Sequence, residues 1–584
     1  MGNFEFHNIF LNNLNAYKPT NFLTSFSLLF CLLNCLAACS PAVPDTSNYN
    51  ENYTVQEGGT LIDATIGEPS GLIYMVAGES AAAAISGNIF NKLLKYDKNL
   101  NLEAELVESW QVSTDQKTIT FKLKPNLKWA DGKPLTSADV LFTWKLVIDE
   151  KTRSPYASDY QLVKKAEAPD ALTFSVTYEN AYAPALDSWS GLQIMPKHLL
   201  ENKDIHTTAF ARKPVGSNYY KLDSWAHGEN LKLSRNKNSV LGQAKIEQLV
   251  TRIIPDSSAQ FLELMAGNID SMGLDPIKYS RVIPARPDLG QKLALYKELG
   301  NSYTYMGFNL KHKPFDDVRV RKALNYAIDK QEIIDGVYLG LGINIASPYK
   351  PGTRWSNPDL KPYAYDVAKA KALLTEAGFA DKDGDGIIER DGKPFSFEIL
   401  TNQNKEREKT AVLIQRRLKD VGIEVTIRAV EWASFISRFI KTGDFDVVVL
   451  GWGLGLDPDQ FNIWHSSQNQ PGQFNFIGYN NPTVDKLLEQ GRLELNPDKR
   501  QSIYHEFSQV LLEDSPVIYL SAGYGLTAIH KRVKGIDNPA PPAGVGWNSY
   551  DWYIPEALRR KEIVGDHKIA LQNKNTNRNE IAAK

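Results

Sequence analysis

Along most of the chain, short segments of alternating polar and apolar residues are interspersed with longer segments whose apolar residues recur every three or four positions. TITFKL at 118–123 alternates and predicts a half-buried strand, whereas FDVVVL at 445–450 predicts a strand buried on both faces. DVAKAKALLTEA at 366–377 has helical spacing and is followed by Gly378, a residue typical of helix C-termini. Helices that alternate with short buried strands predict α/β lobes.

The same two periodicities predict further elements. Thr136 and Asp139 form the sequence pattern of a capping box, which predicts that a helix begins there. Other helices are predicted at 81–94, 317–335, 406–421 and 482–493, and other strands at 395–400, 423–427 and 517–520. No internal repeat is present in the sequence, so solenoid and propeller architectures are excluded.

An apolar run near the N-terminus has the layout of a signal peptide. It begins at Asn21, after Lys18, and a polar segment follows it. The run ends in Leu-Ala-Ala-Cys39, which resembles a bacterial lipobox, and this resemblance implies cleavage before Cys39 and attachment of lipid to its sulfur. An uncleaved membrane anchor and an ordinary cleaved signal are the alternatives. We therefore interpret residues 1–38 as a lipoprotein signal peptide, 39–57 as a flexible tether and 561–584 as a polar tail.

Composition narrows the class of protein. A chain of 584 residues exceeds what one hydrophobic core supports, so more than one lobe is expected. The formal charge of -2 and the 23% of charged residues argue against a nucleic-acid-binding polycation and against extensive disorder. All three cysteines lie at or before Cys39, which excludes disulfides and cysteine-type zinc sites from the folded body.

Several short motifs follow one another along the chain. They are LVESW at 106–110 with the segment TDQKTITFKLKPNLKWADGKPLTSADV after it, MPKHL at 195–199, PVGS at 214–217, AGNID at 266–270, PFDDVRVRKALNYAIDK at 314–330, Gly451-Trp452, and FIGYNNPTVDKLL at 476–488. In this order they resemble the solute-binding proteins of oligopeptide and dipeptide ABC importers, family 5, in their lipoprotein form. The resemblance covers residues 58–556, nearly all of the chain after the tether.

The resemblance implies an α/β type II periplasmic binding protein fold, in which two lobes joined by two hinge crossings close over a ligand and an extra domain is inserted. Carried onto this chain, lobe I comprises 58–98, 212–305 and 516–560, the inserted domain comprises 99–211, and lobe II comprises 306–515. The hinge crossings would then lie at 305–309 and 517–521.

Candidate ligand contacts come from three segments. Gly451, Trp452 and Gly453 follow the buried strand at its carboxyl end, where open α/β sheets place ligands, although Trp452 could instead be core and the glycines a turn. Tyr156 and Tyr160 lie in a segment similar to one in which the family's oligopeptide binders contact the peptide backbone, with ordinary packing as the alternative. Glu68 matches a family position at the mouth of the first lobe, with a solvated turn as the alternative.

Position 455 departs from the family pattern. Oligopeptide binders commonly carry an aspartate three residues after the tryptophan, where it receives the α-amino group of the peptide, and this chain has Gly455. A buried ammonium without a partner is costly, so Asp457, Asp459 or Glu68 takes over that role, or the ligand has no cationic terminus. The alternative for Asp457 and Asp459 is that they cap a helix beginning at Pro458.

A metal site is suggested by only one segment. Asp381, Asp383 and Asp385 have the spacing of a calcium loop, but the twelfth position is Gly392 in place of the usual glutamate. A solvated loop is the alternative to structural calcium. No other cofactor is expected.

The function implied is that of a receptor and not of an enzyme. HExxH, GxSxG, Walker A and GxGxxG motifs are all absent from the sequence. The resemblance implies a monomeric receptor, anchored by lipid to the extracytoplasmic face of a bacterial membrane, that presents a peptide or other multi-unit solute to an ABC permease and its ATPase. It implies no nucleic-acid partner. A nickel-chelate or oligosaccharide receptor, or a sensory lipoprotein of the same fold, remains the alternative.

Overall fold

A computed structural model describes Tyr49 and residues 51–560. The predicted signal peptide, Cys39 and the polar tail lie outside the described residues. None of the helices in the described part of the chain has the length and apolar character that a bilayer crossing requires.

The strands are numbered in chain order. They are β1 (Thr60–Thr65), β2 (Leu94–Tyr96), β3 (Leu102–Ala104), β4 (Val107–Val112), β5 (Thr118–Leu123), β6 (Val163–Asp170), β7 (Thr173–Tyr178), β8 (Tyr220–Ala226), β9 (Asn230–Arg235), β10 (Gln248–Ile253), β11 (Ser271–Gly273), β12 (Leu293–Leu299), β13 (Ser302–Phe308), β14 (Gly342–Ile343), β15 (Glu389–Arg390), β16 (Lys393–Pro394), β17 (Ser396–Asn402), β18 (Glu424–Val430), β19 (Val447–Gly453) and β20 (Val517–His530).

The α-helices are numbered in the same way. They are α1 (Tyr74–Ala77), α2 (Ser80–Ile89), α3 (Ser137–Ile148), α4 (Ala185–Gly191), α5 (Lys197–Leu200), α6 (Ser257–Met265), α7 (Pro287–Lys292), α8 (Val318–Ala327), α9 (Lys330–Gly336), α10 (Val367–Glu376), α11 (Lys405–Lys419), α12 (Trp432–Ser434), α13 (Phe461–Trp464), α14 (Pro482–Leu493) and α15 (Pro497–Asp514). Together with the strands they make the mixed α/β architecture that the sequence predicts.

Local sequence signals determine where several helices begin and end. The capping box at the start of α3 is present, with the Asp139 carboxylate accepting the Thr136 backbone N–H at 2.9 Å. Gly378 follows α10 with a φ of 90°, a conformation that favours glycine. The single helix predicted at 317–335 is in fact two, α8 and α9, because the chain turns extended at Ile328 and Asp329 caps the second helix.

One large sheet joins two bodies through the shared strand β20. Strands β1 and β8 to β12 belong to the first body, and strands β13, β17, β18 and β19 belong to the second. The strand order of the sheet is β18-β17-β19-β13-β20-β11-β1-β10-β9-β8, with β12 and β14 also paired to β20. The first part of β20 pairs with β13 up to Ser521, whereas its second part pairs with β12 from Tyr524 onward. The change of partners in β20 therefore lies between Ser521 and Tyr524, and the matching connection from β12 to β13 is the turn at 300–301. These places lie close to the predicted crossings at 517–521 and 305–309.

Separate hydrophobic cores support the two bodies. One core gathers residues between Leu72 and Ala244, including the buried Trp129 and Trp189, and it includes the four-stranded antiparallel sheet β4-β5-β7-β6. Two further cores lie on opposite sides of the β13-β19-β17 part of the sheet and are built from residues between Tyr303 and Ala522. Independent cores allow each body to keep its packing when the two move relative to each other. The lobe and inserted-domain boundaries given by sequence remain predictions.

Candidate ligand-binding site

A cavity of about 550 Å³ lies between the two bodies, within the size range of small-molecule sites. Its wall has two parts. The first face comes from residues 74–193 and the second face from residues 432–476. Of the residues that sequence analysis selects, the cavity brings together Tyr156, Tyr160, Gly451, Trp452, Gly453, Asp457 and Asp459, together with Gly455.

Trp452 belongs to an aromatic wall shared by both faces. Its indole packs edge-on against Phe474, with ring centroids 5.2 Å apart, and Phe474 in turn packs edge-on against Tyr156 at 5.1 Å. Tyr156 also lies beside Tyr74, with centroids 5.2 Å apart. Flat apolar surfaces of this kind offer contact area to a ligand without demanding one side-chain identity.

The two glycines beside Trp452 serve different purposes. All three residues lie at the end of β19, so the strand is longer than the segment FDVVVL predicts. A Cβ atom at Gly451 would lie 2.8 Å from the Arg407 guanidinium and 3.0 Å from the Tyr303 carbonyl oxygen, so Gly451 accommodates protein atoms. A Cβ at Gly453 would meet no atom within 4 Å, so Gly453 is the position that leaves the cavity wall open.

Tyr160 is more deeply held than Tyr156. Its hydroxyl donates to the Ser188 carbonyl oxygen at 2.7 Å, and its ring packs edge-on against Trp189. Burial raises the pKa of both tyrosines well above the ordinary value, so both remain neutral hydrogen-bonding groups at neutral pH.

Two arginines behind the cavity compensate three of its carboxylates. Arg500 makes two 2.7 Å hydrogen bonds to Asp457. Arg492 donates to Asp459 at 2.7 Å and to Asp159 at 2.9 Å, and so joins a residue of the first face to a residue of the second. Burial raises the pKa of Asp159 to about 7, with Asp459 adding repulsion and Arg492 opposing the rise.

Asp457 and Asp459 do not cap a helix at Pro458. Helix α13 begins at Phe461, and Asp459 accepts the Phe461 backbone N–H at 3.1 Å while Asp457 accepts that of Asp459 at 3.0 Å. The two carboxylates are therefore held both by local backbone N–H groups and by the arginines. Sequence patterns do not indicate Arg492 and Arg500 as their partners, because both arginines come from later helices.

Glu68 lies outside the residues that line the cavity. Its carboxylate accepts hydrogen bonds from Trp225 Nε1 at 2.5 Å, the Gly228 backbone N–H at 3.1 Å and Arg212 at 3.2 Å, with His227 Nδ1 at 2.7 Å. Burial opposes ionisation of Glu68, but these contacts together hold its pKa below the ordinary value. The described structure thus gives Glu68 a full set of partners within its own body.

Asp187 is a cavity residue that sequence analysis missed. It stands in α4, and its carboxylate accepts the Tyr96 hydroxyl. Burial raises the pKa of Asp187 to about 6, and the neighbouring carboxylates of Asp457 and Asp459 add to the rise, whereas Lys92 lowers it. Nothing in the local segment PALDSWSG marks this residue, because its position against residues 451–459 arises only from the tertiary fold.

Hydrogen bonds join the two faces of the cavity directly. Trp432 Nε1 donates to the Glu79 carboxylate at 2.9 Å, and Lys441 Nζ donates to the Val76 carbonyl oxygen at 3.0 Å. Glu79 also accepts the backbone N–H groups of Ala81 and Ala82 at the start of α2. Burial raises the pKa of Glu79, and these donors oppose the rise. Each contact joins segments more than 350 residues apart, which explains why sequence patterns do not reveal them.

The calcium-like loop stands apart from the cavity. Oxygens of Asp381, Asp383 and Asp385 lie within 4.8 Å of one another, and all three residues are exposed. Asp381 accepts the backbone N–H groups of Gly384 at 2.7 Å and Gly386 at 3.1 Å, so part of its charge is already compensated. Calcium binding at this loop stays a prediction.

Comparison with known proteins finds relatives over nearly the whole described chain. A family model described as bacterial extracellular solute-binding proteins, family 5 middle, matches residues 101–473. The oligopeptide-binding protein AppA of Bacillus subtilis is 33% identical over 493 residues, which cover 82% of this chain and 89% of that protein. Its structure in complex with a nonapeptide superimposes with a TM-score of 0.81 at 30% identity, covering 86% of this chain and 100% of the other.

Two other solved structures are similar. DppA of Helicobacter pylori in complex with the peptide STSA has a TM-score of 0.76 at 26% identity, covering 85% of this chain and 98% of the other. NikZ of Campylobacter jejuni in complex with Ni(L-His) has a TM-score of 0.75 at 28% identity, covering 85% of this chain and 99% of the other. The type II periplasmic binding protein fold expected from sequence is confirmed.

The titration of Asp187 leads to a testable difference in stability. As the pH rises from 4 to 8, we expect the free energy of unfolding of the unchanged chain to fall by about 2 to 3 kcal/mol relative to that of Asp187→Asn. A carboxyl with a folded-state pKa of about 6 and an ordinary value of 3.8 holds its proton more tightly in the folded chain. The stability that it contributes is therefore present below pH 4 and lost as the pH rises through 6.

Urea denaturation at the two pH values measures this difference. Asp335→Asn, at an exposed position outside the cavity, is the matched control and should show no comparable trend. Parallel stability curves for Asp187→Asn and the unchanged chain would contradict the prediction.

Proposed function

Because this chain belongs to the bacterial extracellular solute-binding proteins of family 5, we propose that it captures oligopeptides, or similarly extended solutes, between its two lobes and delivers them unaltered to an ABC permease and its ATPase. The observation that carries the proposal is the cavity itself, whose wall is divided between two bodies with separate hydrophobic cores. The nonapeptide bound by AppA and the peptide STSA bound by DppA support peptides as the solute class.

Closure of the lobes would supply the signal to the permease. Hydrogen bonds such as Trp432 to Glu79 and Lys441 to Val76 join the faces, so they exist only when the lobes are together. A ligand that touches both faces adds contacts to the closed form alone, and it therefore shifts the equilibrium toward closure. No bond in the ligand needs to break, and this supports a receptor over an enzyme.

The residues around the cavity favour a peptide over a directly ligated metal. The described lining residues include aromatic rings, carboxylates and amides but neither histidine nor cysteine. These are the two side chains that most often bind nickel and similar metals through nitrogen or sulfur. A nickel chelate, as in NikZ, would have to be held by its organic part.

We include a lipid anchor at Cys39 in the proposal. The lipobox-like sequence ending at Cys39 supports it, and the polar residues 40–48 would tether the binding body to the extracytoplasmic face of the membrane. The predicted tether of residues 39–57 is too long, because Tyr49 is buried in the folded body and Glu57 pairs with Arg235. In a bacterial host, Cys39→Ser should abolish labelling by radioactive palmitate and move the protein from the membrane fraction to the soluble fraction. Labelling that survives the substitution would refute the anchor at this residue.

Captured solutes should be directly observable. We expect native mass spectrometry of protein purified without denaturation to show bound masses that fit peptides. Calorimetry with unlabelled alanine peptides of three to nine residues should then give saturable binding, and X-ray scattering should show a smaller radius of gyration with peptide than without. Bound sugars or nickel chelates, together with no binding of any peptide, would replace the peptide assignment.

The contact between Trp432 and Glu79 offers a test of closure. We expect Trp432→Phe to weaken peptide binding about tenfold, because the closed form loses a hydrogen bond to a carboxylate while the open form loses nothing. The matched control is Trp547→Phe, which removes an indole hydrogen bond of 3.1 Å to Asp537 away from the cavity. Equal effects of the two substitutions on calorimetric affinity would mean that the contact does not report closure.

A further inference from the structure

The charges around the cavity are unequally compensated. Asp457 pairs with Arg500, and Asp159 and Asp459 share Arg492. Glu79 is held by Trp432 and by backbone N–H groups. Among the described residues, Asp187 has no ion-pair partner, and its carboxylate accepts a hydrogen bond from the Tyr96 hydroxyl. Asp187 therefore lacks the compensation that the other carboxylates of the cavity have.

The surroundings of Asp187 make an unpaired carboxylate costly. Asp457, Asp459 and Asp159 bring like charge toward it, and the ammonium of Lys92 brings opposite charge from the same face without forming an ion pair with Asp187. A polar group kept in such a place without a strong partner reduces stability unless something else binds it. Inside a ligand cavity, the missing partner is naturally a group on the ligand.

Gly455 relates this carboxylate to the second face. A Cβ atom at position 455 would lie 3.6 Å from Asp187 Oδ2. The Asp187 carboxylate, which comes from α4 of the first face, therefore occupies space that a side chain at 455 would reach from the second face. This placement makes a small residue at 455 compatible with a negative charge in the same part of the cavity.

We propose that Asp187 forms the subsite that binds a positively charged amino group of the captured solute, in place of Asp457, Asp459 and Glu68. The assignment rests on the proposed capture of peptides. The amino group is either the peptide α-amine or a lysine side chain, which share the same ammonium chemistry. Because Asp187 belongs to the first face and the aromatic end of β19 to the second, a ligand held by both links charge recognition to closure.

The test compares peptides that differ by one charge. Calorimetry would measure the tightest-binding alanine peptide, its N-acetylated form, and a version of each with one internal lysine. We expect the unchanged protein to prefer a peptide with an ammonium over its uncharged counterpart by about 10- to 100-fold, the range for a hydrogen bond between charged groups. Asp187→Asn should abolish that preference, and the affinity for the N-acetylated, lysine-free peptide should be retained or raised, because closure of the variant no longer buries an uncompensated carboxylate.

Two further variants keep the result interpretable. Asp335→Asn is the matched control at an exposed site and should preserve the preference. Adding Gly455→Asp to Asp187→Asn should restore it, because a carboxylate at 455 reaches the same space. The source of the charge is the α-amine or the lysine, according to which pair of peptides loses its difference in affinity in Asp187→Asn and regains it in the double variant.

Different results would overturn the subsite, its placement beside position 455, and peptide capture itself. If peptides bind but neither charge matters, or if Asp187→Asn weakens charged and uncharged peptides equally, the subsite is refuted while peptide capture stands. If the double variant does not recover, Asp187 and position 455 do not reach the same ligand group and the placement is refuted. If no peptide binds the unchanged protein, peptide capture fails, and the subsite assignment fails with it.

Discussion

One buried guanidinium binds carboxylates from both sides of the cavity. Arg492, only 3% exposed, stands in α14 and donates to Asp459 on the second face and to Asp159 and the Ser158 carbonyl on the first. Its Cζ atom also lies over the Phe461 ring, 3.8 Å from the ring centroid. Two carboxylates so close together in a buried place would repel each other without it. The arrangement of the charged wall therefore depends on this cation.

Buried ion pairs are a poor source of net stability, because removing both ions from water costs about as much as their attraction returns. What they supply is a fixed arrangement. Arg492 and Arg500 neutralise Asp159, Asp457 and Asp459 and leave the aromatic wall of Trp452 and Phe474 facing the cavity. Recognition in the proposed site would then depend on broad apolar contact and on the few polar groups that remain uncompensated, which suits a receptor for solutes of varied side chains.

The sequence predicted those features that depend on neighbouring residues. The periodicity over 366–377 and the following glycine correspond to α10, and the Thr136 to Asp139 spacing corresponds to a real capping box. The sequence pattern indicates strand β20 only at 517–520, because its continuation to His530 contains two glycines and draws its stability from several partner strands. The aromatic and glycine residues at 451–453 were found because strand ends are local signals. Asp187 and Arg492 were not, since each acquires its surroundings from segments far away in the chain.

The free-energy cost of burying the Asp187 carboxylate without a cationic partner links the charge of the ligand to closure of the lobes. In an open form, water would solvate Asp187 and the other carboxylates of the wall, and closure removes that water. Burial raises the pKa of Asp187 to about 6 and that of Asp159 to about 7, so the closed and empty cavity resists full ionisation near neutral pH. A bound cation removes part of this resistance only when the lobes are together. Closure over an empty cavity is thereby disfavoured relative to closure over a matching solute, and a permease that reads the closed shape is kept from responding to an unloaded receptor.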